Sequence, residues 1–232
     1  MKRSIKIGAI AATLGAALLL QGCNNDNNPN RSFNIEVVNL SNHQPFAPVA
    51  AVLHKPGYDG FSLGTMASEG LEILAEGGDP SAFISEAESD NKVVNTSSGT
   101  GIIAPGGSET LKVQGITPKP RLTLASMLVN TNDGFVGLDE VDISGLDIGD
   151  SMVLHAKVHD AGTEANSEAA ADVPGQGGEG FNTTRDDSDV ITIHSGVVTQ
   201  DDGLTGSALD ASHRFDNPGA RIVITRMQLE NK

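Results

Sequence analysis

The chain of 232 residues contains no tryptophan, a single tyrosine (Tyr58) and a single cysteine (Cys23). Each scarcity excludes something. Sugar-binding clefts and glycosidases lean on Trp and Tyr platforms, so a carbohydrate-active role is a poor fit. The core must instead be assembled from Val, Ile, Leu and Ala. One cysteine allows no internal disulfide, and no His-Glu-x-x-His run offers a zinc site in its place. Cations are scarce too: 15 Lys and Arg face 30 Asp and Glu, for a net charge of −15. A chain so acidic repels phosphate backbones, which argues against nucleic acid as a partner. It is also poorly suited to lie on an anionic bilayer by charge alone. Divalent cations are its natural counter-ions.

Long apolar runs are likewise missing. The most apolar stretch, Ile7 to Leu20, follows the basic start Lys2, Arg3 and Lys6 and ends at Leu20-Gln21-Gly22-Cys23. That is the pattern of a secretory signal over residues 1–22, too short and wrongly flanked for a membrane span. The tetrapeptide resembles a bacterial lipoprotein box, which implies that Cys23 is lipidated and becomes the mature N-terminus. A plain cleaved signal with an incidental cysteine is the alternative. Asn24, rather than Asp, after that cysteine resembles the sorting signal for the outer membrane of the cell envelope. Removing the leader takes away three cations and makes the remainder more acidic still. Residues 23–31, with "NNDNNPNR" at their centre, are polar and aperiodic and read as a flexible tether. Residues 32–230 are enough for one domain with a sizeable core.

Strand patterns dominate that domain. "FNIEVVNL" puts Phe33, Ile35 and Val37 on one face. "PVAAVLH" (48–54) is a second short apolar run. "RLTLASMLVN" is apolar on both faces, as a central strand would be. "SMVLHAKVHD" alternates, with Met152, Leu154, Ala156 and Val158 on one face and His155, Lys157 and His159 expected on the solvent face. "DVITIHSG" and "ARIVITRMQL" follow as further strands. The period changes only in "ASEGLEILAEGGDPSAFISEAE". There Ser68 can cap a helix that buries Leu71, Leu74 and Ala75 and stops at Gly77-Gly78. Asp79-Pro80 can open a second short helix. The expected fold is all-β, an antiparallel β-sandwich with a short helical insertion. The stretch 164–189 is long and weakly hydrophobic; loops of that length are functional or mobile.

Two acidic turns are candidate sites. "NTNDGFVGLDE" closes one strand and "VHDAGTEANSE" closes another. If both strand ends lie at one edge of the fold, Asp133, Asp160 and Glu164 can converge, with Gly162 permitting the tight reversal. Calcium needs six to eight oxygens at ~2.3–2.6 Å, so such a rim suits it. A solvated acidic loop is the plainer alternative. The cluster Asp139, Glu140 and Asp142 and the run 186–189 read as solvated loops, with Asp139 near enough to add to the field at Asp133. "GFSLG" matches the G-x-S-x-G elbow of serine hydrolases, but that elbow needs a strand entering Ser62 and a helix leaving it. "KPGYD" breaks any strand before Ser62, and the helix begins several residues late. His155 and His159, four positions apart on a strand, stand ~13 Å apart and cannot grip one ion.

The segments "SMLVNTNDGFVGLD" and "DAGTE", in that order, resemble the spondin N-terminal domain family. "VVNLSNHQPFAPVAAVLH", "LGTMASEGLEILAEGGDPSAF" and "GARIVITRM" extend the likeness over most of Phe33 to Met227. The resemblance implies a β-sandwich with bound calcium, and in the animal spondins and mindin an extracellular adhesion module. By that resemblance the ligands are Asp133, Asp160 and Glu164. Asn132 and Gly134 replace the Pro and Trp of the animal turn, and Glu164 stands where Asp is usual. The expected function is therefore a non-catalytic, lipid-anchored, calcium-binding adhesion or ligand-binding module of the cell envelope. Its partner would be an envelope or extracellular protein or glycan, and it would touch the membrane only through its lipid. The alternative is an envelope hydrolase using Ser62 or an acidic pair.

Overall fold

The computed structural model describes residues 29–185, 187 and 189–229. The leader, Cys23, Asp186 and Ser188 lie outside the described residues. Among the described residues, nine antiparallel strands form one continuous sheet in the order β3-β2-β5-β6-β7-β9-β1-β4, with β8 pairing β7 off that path. β1 spans Asn30–Asn39 and is flanked by β4 (Ser108–Ile116) and β9 (Ala220–Met227). β2 (Ala50–His54) lies between β3 (Val93–Ser98) and β5 (Arg121–Met127). β5 in turn pairs β6 (Gly134–Asp142). β1 starts at Asn30, inside the stretch read as tether.

The long strand β7 (Ser151–Asp160) joins the two halves of the sheet. Its first part, Ser151 to Ala156, pairs β9, and its last part, Lys157 to Asp160, pairs β6. This sharing curls the sheet towards closure. At the far ends of the path, β3 and β4 approach closely without a strand ladder: the Gln114 amide donates to the Asn95 side chain at 2.9 Å. Gly115 permits that approach, because a Cβ there would stand 2.3 Å from Val94 Cγ1. The expected antiparallel, mostly β architecture is present, and its ladder runs unbroken through β7 into a nearly closed, barrel-like sheet.

The alternation in the sequence explains the interior. Phe33, Ile35 and Val37 from β1 meet Leu53, Leu122, Leu124, Val136, Val158, Ile222 and Ile224, all fully buried. Strands β2, β5 and β6 are apolar on their outer face as well, because two helices cover it. α1 (Glu69–Gly77) and α2 (Ser81–Glu88) pack Leu71, Leu74, Ala75 and Phe83 onto Ala50, Val52, Ala125 and Phe135. Fully burying a leucine contributes about 1.5–3 kcal/mol, so Leu71 and Leu74 anchor α1 to the sheet. Ser68 caps α1 by accepting from the Leu71 amide at 3.2 Å, and Gly78, at φ +70°, ends it. The Asp79 carboxylate accepts from the Ser81 amide at 2.9 Å and opens α2.

Several elements differ from the sequence expectation. β3, β4 and β6 are strands with no clear counterpart in the hydropathy pattern. In β6 two glycines and three acidic residues mask a strand whose first half is buried on both faces. "DVITIHSG" yields only the two-residue β8 (Thr192–Ile193), because Ile191 dives under the helices and His194 is buried on the other side. His159, expected in solvent, is 7 % exposed. It stacks on Phe135 with centroids 5.1 Å apart and meets Phe61 edge-on. Burial lowers its pKa to about 4, so it is a neutral core residue.

Candidate metal centre

The pairing of β6 with β7 decides where the acidic turns meet. Gly134 is in register with Asp160, so Asp133 and Ala161 stand just beyond the ends of neighbouring strands. The Ala161 amide donates to the Asp133 carbonyl at 3.3 Å. The two turns are thus brought to one rim.

The Asp133 turn is braced locally. The Thr131 hydroxyl donates to the Leu128 carbonyl at 2.7 Å and accepts from the Gly134 amide at 2.9 Å. The Gln44 side chain accepts from the Asn130 amide and donates to the Asn130 carbonyl, fixing the turn from the other side. The 160–168 loop then wraps over it. Thr163 and Glu164 both donate backbone N–H groups to Asp133 Oδ2, at 2.7 and 3.1 Å. Gly162 makes the reversal at φ +68°, where a Cβ would also strike the 189–190 backbone at 2.9 Å. Asp160 is tied on both oxygens, Oδ1 accepting from the Gly162 amide and Oδ2 from Asn166 Nδ2.

Asp133 itself is fully buried, and its second oxygen, Oδ1, has no hydrogen-bond partner among the described residues. Burial, aided by the charge of Asp160, pushes its carboxyl up to about 7 despite the amide bonds that oppose the shift. An unpaired buried carboxylate oxygen is costly. A cation beside it would remove that cost, and oxygen donors suit a hard cation such as calcium. The chemistry of Asp133 and Asp160 therefore fits calcium. Among the described residues, no group of three or more His, Cys, Asp or Glu side chains is already arranged to hold an ion. Glu164 lies at the same rim, 8 % exposed, and its backbone is bonded to Asp133.

Further along the loop, Glu168 is buried at 1 % exposure, although in the sequence it is only one carboxylate of an acidic stretch. Its amide donates to the Asn132 side chain at 3.3 Å, and its Oε1 accepts from the Val198 amide at 3.1 Å. Burial raises its pKa, the Val198 N–H opposes this, and the nearby charge of Asp160 adds to it. The rest of the 164–189 stretch is pinned at several points. Gly175 donates to the Val129 carbonyl, Asn182 to Glu76, and Arg185 pairs with Glu72 on α1 at 2.5 Å. Nothing in the hydropathy of this stretch announces those anchors; helix α1 beside it supplies the last two, through Glu76 and Glu72.

Asp139, Glu140 and Asp142 lie on β6 rather than in solvated loops. Asp139 Oδ1 accepts from Thr123 Oγ1 at 2.7 Å and from the Gly60 amide at 3.0 Å. Glu140 accepts from the Gly57 amide, and Asp142 pairs with Arg121 at 2.6 Å. The charge that raises the Asp133 pKa is that of Asp160, not the expected Asp139. Ser62 sits on an exposed turn with no strand leading into it, and α1 starts seven residues later. Its hydroxyl donates to the Asp59 carboxylate at 2.9 Å, and no histidine among the described residues partners it. The serine-hydrolase elbow is not formed. No helix among the described residues is long and apolar enough to cross a membrane.

The fold and its rim define the class: an antiparallel β module with paired acidic turns at one end of the sheet. The Spondin_N family model matches residues 35–177, well over half of the chain, and the chain belongs to the spondin N-terminal domain family. No curated protein matches it.

Proposed function

We propose that this chain is a non-catalytic ligand-binding module of the cell envelope whose rim is pinned by calcium at Asp133, Asp160 and Glu164. The observation that carries the reading is the buried, unpartnered Oδ1 of Asp133 beside Asp160. Two carboxylates at such a point repel each other when both are ionised. Calcium offsets that repulsion and ties the 130–133 turn to the 160–168 loop. The mechanism is passive: the ion holds the rim in one shape, and that rim, with the long 164–189 stretch, presents the contact surface. Family membership supports an extracellular or envelope ligand-binding role; the leader pattern and Cys23 support a lipid anchor, with the outer membrane as the location. The partner is a protein or glycan of the envelope or its surroundings.

A thermal melt with EDTA and with excess calcium tests the metal. An ion at ~100 times its dissociation constant adds about 2.7 kcal/mol, which for a domain of this size is roughly a 5–11 °C rise. The rise is expected in the wild type and absent in Asp160→Ala. No rise in the wild type refutes the calcium-pinned rim. Capture from envelope extracts by the wild type but not by Asp160→Ala supports the adhesion role; equal, negligible capture by both counts against it. Radiolabelled fatty acid incorporated into the wild type and not into Cys23→Ser tests the anchor.

A further inference from the structure

In a chain with twice as many acidic as basic residues, a cation is expected to find a carboxylate. Arg121, Arg185 and Arg214 do, pairing with Asp142, Glu72 and Asp202, and Arg31 and Arg226 donate to backbone carbonyls. Among the described residues, Lys157 on β7 and Arg221 on β9 form no ion pair. The strand register explains why. Lys157 stands opposite Gly137 of β6, and Arg221 stands between His155 of β7 and Val38 of β1. Residues directly opposite each other share a face of the sheet, so His155, Lys157 and Arg221 lie together on the outer face, all three exposed, with no carboxylate in register with any of them.

A cavity of about 470 Å³ opens beside these cations, lined by His155, Lys157, Asn217 and Pro218. That volume lies within the range of small-molecule sites, which enclose a mostly apolar body and orient it with a few polar groups. It forms where β7 changes partner, leaving β9 after Ala156 and joining β6 from Lys157. Asn217 closes the far side. Its Oδ1 accepts from the Val158 amide at 2.7 Å, which holds the side chain in place and leaves Nδ2 as a donor. A smaller cavity of about 230 Å³ shares His155 and Lys157 and runs on to Phe61 and Asp139. There the Asp139 carboxylate repels an anion, so the positive pole of the groove is at its Asn217 end.

We propose that the larger cavity binds a small organic anion. Its acidic head is held by Lys157 and His155, with Asn217 Nδ2 as a further donor, and its apolar body lies against Pro218. Arg221, beside His155, adds to the attracting field. Charge complementarity sets the ligand class: three cationic or hydrogen-bond-donating side chains face one cavity and none is spent on a carboxylate of this chain. The site is separate from the calcium rim, since neither Asp133 nor Asp160 lines the cavity, and it does not depend on the calcium reading.

Isothermal titration of the whole chain in EDTA tests this with three probes: 1-naphthalenesulfonate, the neutral 1-naphthalenemethanol with the same ring body, and sodium sulfate. The sulfonate is expected to bind at one site per chain, at least about tenfold more tightly than either of the others, as a charged hydrogen bond to Lys157 warrants. Lys157→Glu is expected to weaken the sulfonate by about tenfold or more and to leave the neutral probe unchanged. Lys112→Glu makes the same change of net charge on β4, at a position in register with Asn34, and is expected to bind as the wild type does. Both lysines are exposed, and circular dichroism confirms that the variants are folded. Equal loss in Lys112→Glu and Lys157→Glu would reduce the effect to net charge and overturn the proposal. So would equal affinity for the charged and neutral probes, or no binding of the sulfonate. Sulfate binding as tightly as the sulfonate would overturn the assignment of an organic ligand.

Discussion

The two ends of β6 carry similar numbers of carboxylates and put them to opposite uses. At the C-terminal end, Asp139, Glu140 and Asp142 each accept from a neighbour: Thr123 and Gly60, Gly57, Arg121. At the N-terminal end, Asp133 accepts three hydrogen bonds on one oxygen and none on the other. Charge density alone does not separate the two clusters. The separation lies in whether the protein satisfies every oxygen it buries. A satisfied carboxylate braces the fold; one left with a buried unpaired oxygen awaits a cation or a proton.

The largest expected effect breaks this contrast at Asp133. Its folded pKa, about 7, lies above the unfolded value of 3.8. The metal-free fold therefore favours the protonated form. The penalty for ionising Asp133 sets in as pH rises past about 4 and is complete above about 7. Each pH unit between the folded and unfolded pKa values costs ~1.36 kcal/mol, so the penalty approaches about 4 kcal/mol. Asp133→Asn carries no such charge. In EDTA at pH 8 it is expected to unfold at higher urea than the wild type, with the difference shrinking towards pH 4. In calcium at ~100 times its dissociation constant the gap is expected to narrow by about 2.7 kcal/mol, since only the wild type gains from the ion. Urea titrations in both buffers at three pH values read this directly.

Next comes the opposite end of the strand. Thr123 donates to Asp139 and is within hydrogen-bond distance of His54 Nε2 at 3.0 Å. Thr123→Val leaves buried polar atoms unpaired and is expected to cost about 1–3 kcal/mol, equally with and without calcium. A calcium-dependent cost would mean that the two ends communicate. A smaller effect is expected at Ser68, where replacing the helix cap by alanine costs about 1 kcal/mol. Because α1 anchors Arg185 through Glu72, protease nicking of the 164–189 stretch should rise with it. The smallest effect belongs to Glu140→Gln. This exposed side chain keeps an oxygen for the Gly57 amide, so its melting temperature should move by about 1 °C or less, as surface changes do.

Much of the regular structure is legible in the sequence because it rests on local periodicity. β1, β2, β5, β7 and β9 announce themselves by alternation or by unbroken apolar runs, and α1 by its cap, its buried face and its glycine stop. β3, β4 and β6 escape such a reading where glycines and polar residues dilute the pattern, and there the pairing partners supply the order. His159 misleads because a strand's outward face need not meet solvent: the rings of Phe61 and Phe135 pack against it. The rim is legible in part. Asp133 and Asp160 stand out as acidic turns, whereas Glu168 looks like decoration until the loop folds it inward.

By itself the sequence determined where most of the strands and both helices would form, that the chain is strongly acidic, and which carboxylates were available to a cation. Those properties depend on residue spacing and net charge. Only the tertiary structure decided which carboxylates would be buried together and which of their oxygens would be left unpaired. That outcome depends on the β6–β7 register, which sets Gly134 opposite Asp160, and on a loop whose amides satisfy one oxygen of Asp133 and leave the other unpaired. Spacing along a chain carries no information about hydrogen bonds made between turns about thirty residues apart, because those are fixed by strand pairing.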